Sequence, residues 1–143
     1  MPEVTDGFDV AREMGEAAKA VMDRLMADYE TLTKDEVREL EDLAWDLQSQ
    51  AARIRTLAVG TLLAEAETSI EAINRETRRA RKAIKDIGKV RQAIAIGAAL
   101  LTVASAIATR NAAGLKPAVN TLKDVLKEPA KDLGKAVVKK VKG

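Results

Sequence analysis

Apolar side chains recur every three or four residues along most of this chain, which is the spacing of one face of an α-helix. The first stripe predicts a helix from about Phe8 to Glu30. Its members are Val10, Met14, Ala17, Val21, Leu25 and Met26. Thr33 followed by Glu36 has the spacing of a capping box, which predicts that a second helix begins at Lys34. Because the connection between them is short, we expect the two helices to pack as an antiparallel hairpin.

The chain then contains no proline until Pro117, and its pattern predicts one long, bent helix over residues 34–113. Two heptad seams run along this helix in different phases. The first seam is Val37, Leu40, Ala44, Leu47, Ala51, Ile54, Ala58 and Thr61, and the second is Ile70, Ile73, Thr77, Ala80, Ile84, Ile87, Arg91 and Ile94. Because one straight helix cannot turn both seams toward the same partner, either the helix bends or its halves contact different partners.

Residues 92–109, QAIAIGAALLTVASAIAT, carry no charge and are bracketed by Arg91 and Arg110. A helix that is apolar all round must be buried in protein or in lipid. It would be roughly 27 Å long, close to the ~30 Å hydrocarbon core of a bilayer. Its Ile, Leu and Val residues favour insertion by roughly 2–4 kcal/mol, which its polar residues largely offset, so insertion is expected in an oligomer. The predicted inserting residues are Ile94, Ile96, Leu100, Leu101, Val103 and Ile107.

Residues 75–91, directly before this segment, are strongly basic. They form either a solvated helix face that meets the acidic N-terminal helices or a face attracted to anionic lipid headgroups. The residues predicted to contact an anionic surface are Arg78, Arg79, Arg81, Lys82, Lys85, Lys139 and Lys140. Nucleic acid is a less favoured partner, because no aromatic side chains are interleaved with the basic ones and no binding motif is present.

The pattern of apolar and basic residues over 114–143 predicts two short, basic, amphipathic helices. Gly114 is expected to end the preceding helix, and Pro117 to be the first residue of the next. Pro129 is expected to separate the two, because the residue before a proline avoids helical geometry. Lysines surround the apolar residues of the final stretch, which is typical of a helix at a membrane surface or of one packed on a bundle with solvated lysines.

The composition favours a single all-α domain with a thin core of small side chains. Only Phe8, Tyr29 and Trp45 are aromatic, and the chain has no Cys and no His. The usual general base near neutral pH and the commonest transition-metal ligands are therefore missing. The sequence also contains no phosphate-binding glycine loop and no nucleophile–base pair. We expect no catalysis, no cofactor, no metal and no small-molecule substrate.

Charge is distributed unevenly along the chain, although the net charge is only +2. Residues 1–50 carry fourteen acids and five bases, whereas residues 51–100 have a balance of +5 and residues 101–143 of +6. This asymmetry favours head-to-tail or antiparallel association, so a homo-oligomer is expected. The acidic first ten residues lack the features of a signal peptide, so we expect the protein to be soluble before any membrane insertion.

The run IGKVRQAIAIGAALLTVASAIATRNAAG follows a long amphipathic stretch and precedes a short one. In this arrangement the region from about Ile70 to Lys127 resembles the helical pore-forming toxins and related membrane-active helical proteins. It is also similar to the Ala-rich ejection proteins that tailed phages deliver into the host envelope. The resemblance implies membrane insertion by an oligomer.

Two functions are compatible with these patterns. The first is a membrane-active, self-assembling helical protein that forms a pore or inserts through its apolar helix, with basic residues on an anionic surface. The second is a soluble coiled-coil structural or adaptor protein that oligomerises through the same apolar helix. The charge-free segment motivates the first function, and the heptad seams with the charge asymmetry motivate the second.

Overall fold

The structure is a computed structural model that describes the backbone of residues 6–142 and the side chains of residues 7–127. Over that range the chain forms six α-helices, one short 3-10 turn and no strand, which confirms the all-α fold class. The elements are α1 (Asp6–Asp28), the 3-10 turn (Tyr29–Thr31), α2 (Lys34–Ile54), α3 (Gly60–Glu65), α4 (Ile70–Asp86), α5 (Val90–Ala108) and α6 (Ala112–Lys142).

The first two helices form the predicted N-terminal hairpin. The capping box at the start of α2 is present, since the backbone N–H of Glu36 donates to Oγ1 of Thr33 at 3.1 Å. The backbone N–H of Thr33 donates in return to Oε1 of Glu36 at 2.9 Å. At the other end of the hairpin, the N–H of Gly7 donates to the carbonyl oxygen of Leu57 at 3.0 Å. The beginning of α1 therefore lies against the end of α2.

Substitution of Gly7 by alanine is expected to lower the free energy of unfolding by about 1–3 kcal/mol. The new Cβ would overlap the carbonyl oxygens of Ile54 and Leu57, and backbone atoms cannot move aside as a flexible side chain can. Denaturant titration followed by circular dichroism measures the change. Gly15→Ala is the matched control: nothing lies within 4 Å of its Cβ position, so stability should stay level or rise by up to ~1 kcal/mol. Equal effects of the two substitutions would contradict the close approach at Gly7.

The single long helix predicted for residues 34–113 is wrong, because the chain turns within it and forms α2, α3, α4 and α5. After α3, Glu67 adopts a φ of 59°. Its N–H donates to the carbonyl oxygen of Ala64 at 3.0 Å. The N–H of Thr68 donates to the carbonyl oxygen of Leu63 at 2.8 Å, which completes a Schellman motif. Glycine normally occupies such left-handed positions, so a glutamate there provides no sequence signal of a helix end.

All six helices contribute buried side chains to one common core. Helix α1 packs against α2 and α4, α5 also packs against α2 and α4, and α6 packs against α5 and α4. The first seam lies mainly on α2 and ends in α3, and the second lies mainly on α4 and ends in α5, so neither seam is confined to one helix. Helix α4 begins at a capping serine, since the N–H of Ala72 donates to Oγ of Ser69 at 3.1 Å. That local start signal lies between the two seams.

The core consists of aliphatic side chains and alanines, with no aromatic residue among the side chains that the structure describes. The predicted stripe of α1 is buried at Val10, Met14, Ala17, Val21 and Leu25. Met26 is a correction, because it is 69% exposed. The stripe already reaches the core through Leu25, and the following residue points away from the core.

The two short C-terminal helices predicted for residues 114–143 are also wrong, because α6 is one continuous helix. Gly114 does not end a helix; its N–H donates to Oδ1 of Asn111 at 3.0 Å, so it belongs to the first turn of α6. Arg110, with a φ of 56°, closes α5 instead of a glycine. Pro117 and Pro129 both lie within α6. Around Pro117 the packing of α6 on α5 outweighs the loss of one helical hydrogen bond.

Helix α6 is attached to the bundle by apolar packing and by an ion pair. Leu115 and Leu122 are completely buried. Lys116 pairs with Glu67 at the end of α3, and its hydrogen bond and positive charge lower the pKa of the Glu67 carboxyl. These contacts place α6 over the outer side of α5.

A buried arginine joins α1 to the elbow between α4 and α5. Arg24 is only 8% exposed, and its guanidinium forms an ion pair with Asp28 one turn later. The same group donates to the carbonyl oxygens of Ile84 at 3.0 Å, Ile87 at 2.6 Å and Gly88 at 3.2 Å. The last carbonyls of a helix have no partner within it. Arg24 therefore caps α4 from a neighbouring helix and holds the start of α5 in place.

Candidate functional site

The apolar segment lies at the centre of the bundle as α5. Of the six residues predicted to insert into a membrane, Ile96, Leu100, Val103 and Ile107 are buried, and Ile94 and Leu101 are partly buried. The exposed side of α5 within the segment is a narrow stripe of Ala95, Ala98 and Thr102. Within the described residues α5 is the one helix long and apolar enough to cross a membrane, and half of its apolar window is buried in the bundle. Helices α2, α4 and α6 provide this cover.

The two arginines that bracket the apolar segment both make contacts within the chain. Arg91 donates to Oε2 of Glu39 on α2 at 2.9 Å and lies 3.9 Å from a carboxylate oxygen of Glu36. Arg110 donates to the carbonyl oxygen of Ala58 at 3.0 Å, in the loop that follows α2. Both ends of the apolar segment are thus tied to α2 or to its C-terminal loop.

The basic residues of α4 divide into paired and unpaired groups. Arg78 and Arg81 lie 3.3 Å and 3.5 Å from carboxylate oxygens of Glu13 on α1. Arg79 pairs with Glu76 of its own helix at 2.6 Å. On this side of the bundle the basic helix meets an acidic helix, which is one of the two interpretations that the sequence leaves open.

The other predicted anionic-surface contacts are Lys82, Lys85, Lys139 and Lys140. Lys82 and Lys85 are exposed and form no ion pair with any side chain that the structure describes. Lys139 and Lys140 lie in α6, outside the described side chains. The structure therefore places the five predicted α4 residues on one helix. It does not describe where the charges of Lys139 and Lys140 lie.

Sequence reasoning missed an exposed apolar surface on α1, α2 and their connection. Phe8 is 44% exposed, Tyr29 is 59% exposed and Trp45 is 69% exposed, so every aromatic side chain of the protein lies at the surface. Met26, on α1, is a fourth large apolar side chain that is exposed. A signal was present for Trp45, because it directly follows Ala44 of the first seam and so falls outside the buried stripe.

A continuous groove runs between α1 and α2 beside Trp45. It consists of a concavity of about 570 Å³ and a second one of about 330 Å³, and both are lined by Gly15 and Gln48. We call these two concavities the α1–α2 groove. Its other small lining residues are Ala11, Ala18, Ala44, Ala51 and Ala52. Phe8 lies at one end, and Met22 and Trp45 line the larger concavity, so the groove has an apolar floor and apolar walls.

The rim of the α1–α2 groove is basic although the surrounding half of the chain is acidic. Arg12, Lys19 and Arg55 line the groove, whereas Glu16 is its one acidic lining residue. None of the three cations forms an ion pair with a described side chain. The guanidinium carbon of Arg55 lies 5.4 Å from the centre of the Phe8 ring, a cation–π contact that orients both side chains.

A third concavity of about 370 Å³ lies at the turn between the two helices. Lys34 and Arg38 line it together with one acid, Glu41. Four of the five bases among residues 1–50 therefore line these concavities, but only two of the fourteen acids do. The arrangement offers a ligand apolar contact along the floor and cationic donors along the rim.

Comparison with known proteins adds no relative to this picture: no family model matches the chain, and searches of curated proteins and of solved structures return no match. The class of this protein is therefore defined by its fold and its surface. It is an all-α bundle with an enclosed apolar helix and a basic-rimmed groove on its N-terminal hairpin.

Proposed function

We propose that this chain is a helical-bundle interaction module that binds a protein partner on the face formed by α1 and α2. The observation that carries the proposal is the position of Trp45, which is 69% exposed beside an apolar groove. Aromatic residues are enriched among the residues that dominate binding energy at protein interfaces. Burying the exposed part of one tryptophan contributes about 2–4 kcal/mol of favourable free energy.

The distribution of large side chains supports this proposal. Leucine, isoleucine, valine and alanine fill the core, while the three aromatic residues lie outside it. An exposed tryptophan side chain does not stabilise the isolated bundle. It becomes favourable when a second surface covers it, because aromatic side chains provide large contact areas at low cost in conformational entropy.

The docking face differs from the one expected for an adaptor that oligomerises through its apolar helix. Leu100 and Ile107 are completely buried within the same chain. On α5 a second copy could reach only the stripe of Ala95, Ala98 and Thr102 and the uncovered parts of the half-buried side chains beside it. The proposed interface therefore uses α1 and α2.

The second candidate function is membrane insertion and pore formation through α5, and the length and apolar composition of that helix favour it. Insertion would require α5 to separate from α2, α4 and α6, with loss of the contacts that Arg91 and Arg110 make. The released Ile94, Ile96, Leu100, Leu101, Val103 and Ile107 would then face lipid. The basic residues of α4 would face anionic headgroups.

Ala98→Lys separates the two candidates, and the interaction module predicts that it changes nothing in a vesicle assay. Ala98 is exposed, so the folded bundle accepts a lysine there. A charge at the centre of an inserted helix opposes insertion by about 2.5–3.5 kcal/mol. We expect the full chain to remain unbound to anionic and neutral vesicles and to release no trapped dye, before and after the substitution.

The matched control is Ala27→Lys, which places the same charge on an exposed position of α1. Dye release by the unmodified chain that Ala98→Lys abolishes and Ala27→Lys preserves would overturn the first proposal in favour of insertion. Light scattering after gel filtration without detergent reports the mass of the protein in the same samples.

A further inference from the structure

We infer that the partner in the α1–α2 groove is an α-helix whose apolar stripe is flanked by Asp and Glu side chains. This inference rests on the proposed function and specifies the chemistry of the partner. An apolar groove between two helices suits the apolar face of a third helix, which docks through side chains at helical spacing. The groove extends along α1 from Phe8 to Met22. That distance is roughly 21 Å, the length of about four helical turns.

The floor of the groove allows close approach. Gly15 lies inside α1 where both concavities meet, and no atom of another helix lies within 4 Å of the position that a Cβ would occupy. A glycine inside a helix weakens it relative to alanine, and here no packing within the bundle requires one. An approaching helix would benefit from the missing side chain, because its backbone could come nearer to α1. Trp45 and Met22 would then cover its sides.

The charge of the groove rim determines which side chains should flank the apolar stripe of the partner helix. Arg12, Lys19 and Arg55 outnumber the single acid Glu16, and all four are exposed. Asp23 and Glu41 lie one helical turn from the lining residues Lys19 and Trp45 but do not line the groove themselves. Cations therefore outnumber acids among the side chains that line the groove.

A second copy paired groove to groove does not suit this surface. Face-to-face pairing of two identical grooves would bring Arg12, Lys19 and Arg55 of one copy against the same basic rim of the other. Like charges at short range oppose association and select against that partner. A helix with acidic flanks satisfies both the apolar floor and the basic rim.

Three designed helical peptides test the inference on the full-length chain. They share one apolar stripe, lack tryptophan and differ only in flanking residues, which are Glu, Gln or Lys. Trp45 is the only tryptophan in the protein, so its fluorescence reports occupation of the groove. We expect the Glu-flanked peptide to bind roughly tenfold more tightly than the Gln-flanked one, because surface ion pairs contribute modestly. The Lys-flanked peptide should bind most weakly, and added salt should reduce the differences.

Matched variants locate the effect. Gly15→Gln places a side chain in open space on the groove floor, so it should weaken all three peptides at least tenfold. Lys19→Glu should remove the preference for acidic flanks, whereas Arg53→Glu, at an exposed position of α2 outside the groove lining, should preserve it. Circular dichroism confirms that each variant is folded.

The possible outcomes are distinguishable. If no peptide changes the fluorescence of Trp45, the α1–α2 face is not a helix-docking surface and the proposed function is overturned. If all three peptides bind equally, docking stands and the acidic partner is overturned. If anionic vesicles alone shift the fluorescence, the face binds a lipid surface and both proposals are wrong.

Discussion

Replacing Arg24 with methionine is expected to lower the free energy of unfolding by about 2–4 kcal/mol, since hydrogen bonds to charged groups contribute ~1.5–3 kcal/mol each and are not additive. The guanidinium is almost fully buried and donates to the carbonyl oxygens of Ile84, Ile87 and Gly88. Methionine fills a similar volume but donates nothing, so these carbonyls lose their partner at the end of α4. Chemical denaturation monitored by circular dichroism measures the loss.

Two further variants identify the origin of that effect. Arg24→Lys keeps the charge but loses the planar fork that reaches several carbonyls, so it should cause an intermediate loss. Arg12→Met removes an exposed arginine that forms no ion pair with a described side chain, and should change stability by less than ~0.5 kcal/mol. If Arg24→Met proved as stable as Arg12→Met, Arg24 would not hold the elbow between α4 and α5.

Leu100→Ala should destabilise the protein by about 2–5 kcal/mol, the range for a leucine removed from a packed core. Leu100 is completely buried on α5, where α2, α4 and α6 surround the helix. Its neighbour Leu101 is only partly buried. Leu101→Ala is therefore expected to lower the free energy of unfolding by roughly 1 kcal/mol, because it removes less apolar area from contact.

This adjacent pair tests whether α5 belongs to the core of the isolated chain. The two substitutions remove the same atoms from neighbouring positions, so differences in composition cannot explain a difference in stability. Denaturant midpoints in buffer without lipid provide the comparison. Small and equal effects would indicate that α5 is loosely held and available to a membrane or to a second copy.

The signals that sequence reading interpreted correctly are local ones. Thr33 and Glu36 lie three residues apart and need only each other, so their capping box follows directly from the sequence. The stripe of α2 at Leu40, Ala44 and Leu47 is buried because helical periodicity determines which residues share a face. Met26 shows the limit of this reasoning, because the edge of a stripe depends on how far the neighbouring helix extends.

Two of the missed helix ends share a physical cause. Glu67 and Arg110 occupy left-handed positions at the ends of α3 and α5 without being glycine. Both residues also make tertiary contacts: Glu67 pairs with Lys116, and Arg110 donates to the carbonyl oxygen of Ala58. Neither contact has a signature in the local sequence. The same holds for α6, where packing against α5 continues the helix through Pro117.

The sequence alone determined that this protein is helical, that residues 92–109 form an apolar segment that needs cover, and that acids and bases concentrate in opposite halves of the chain. Only the tertiary structure decided what covers the apolar helix and which large side chains stay outside. Periodicity identifies the apolar face of each helix but does not specify which other helix will contact it. That choice depends on turns and long-range contacts, which here place α5 inside the bundle and Trp45 at its surface.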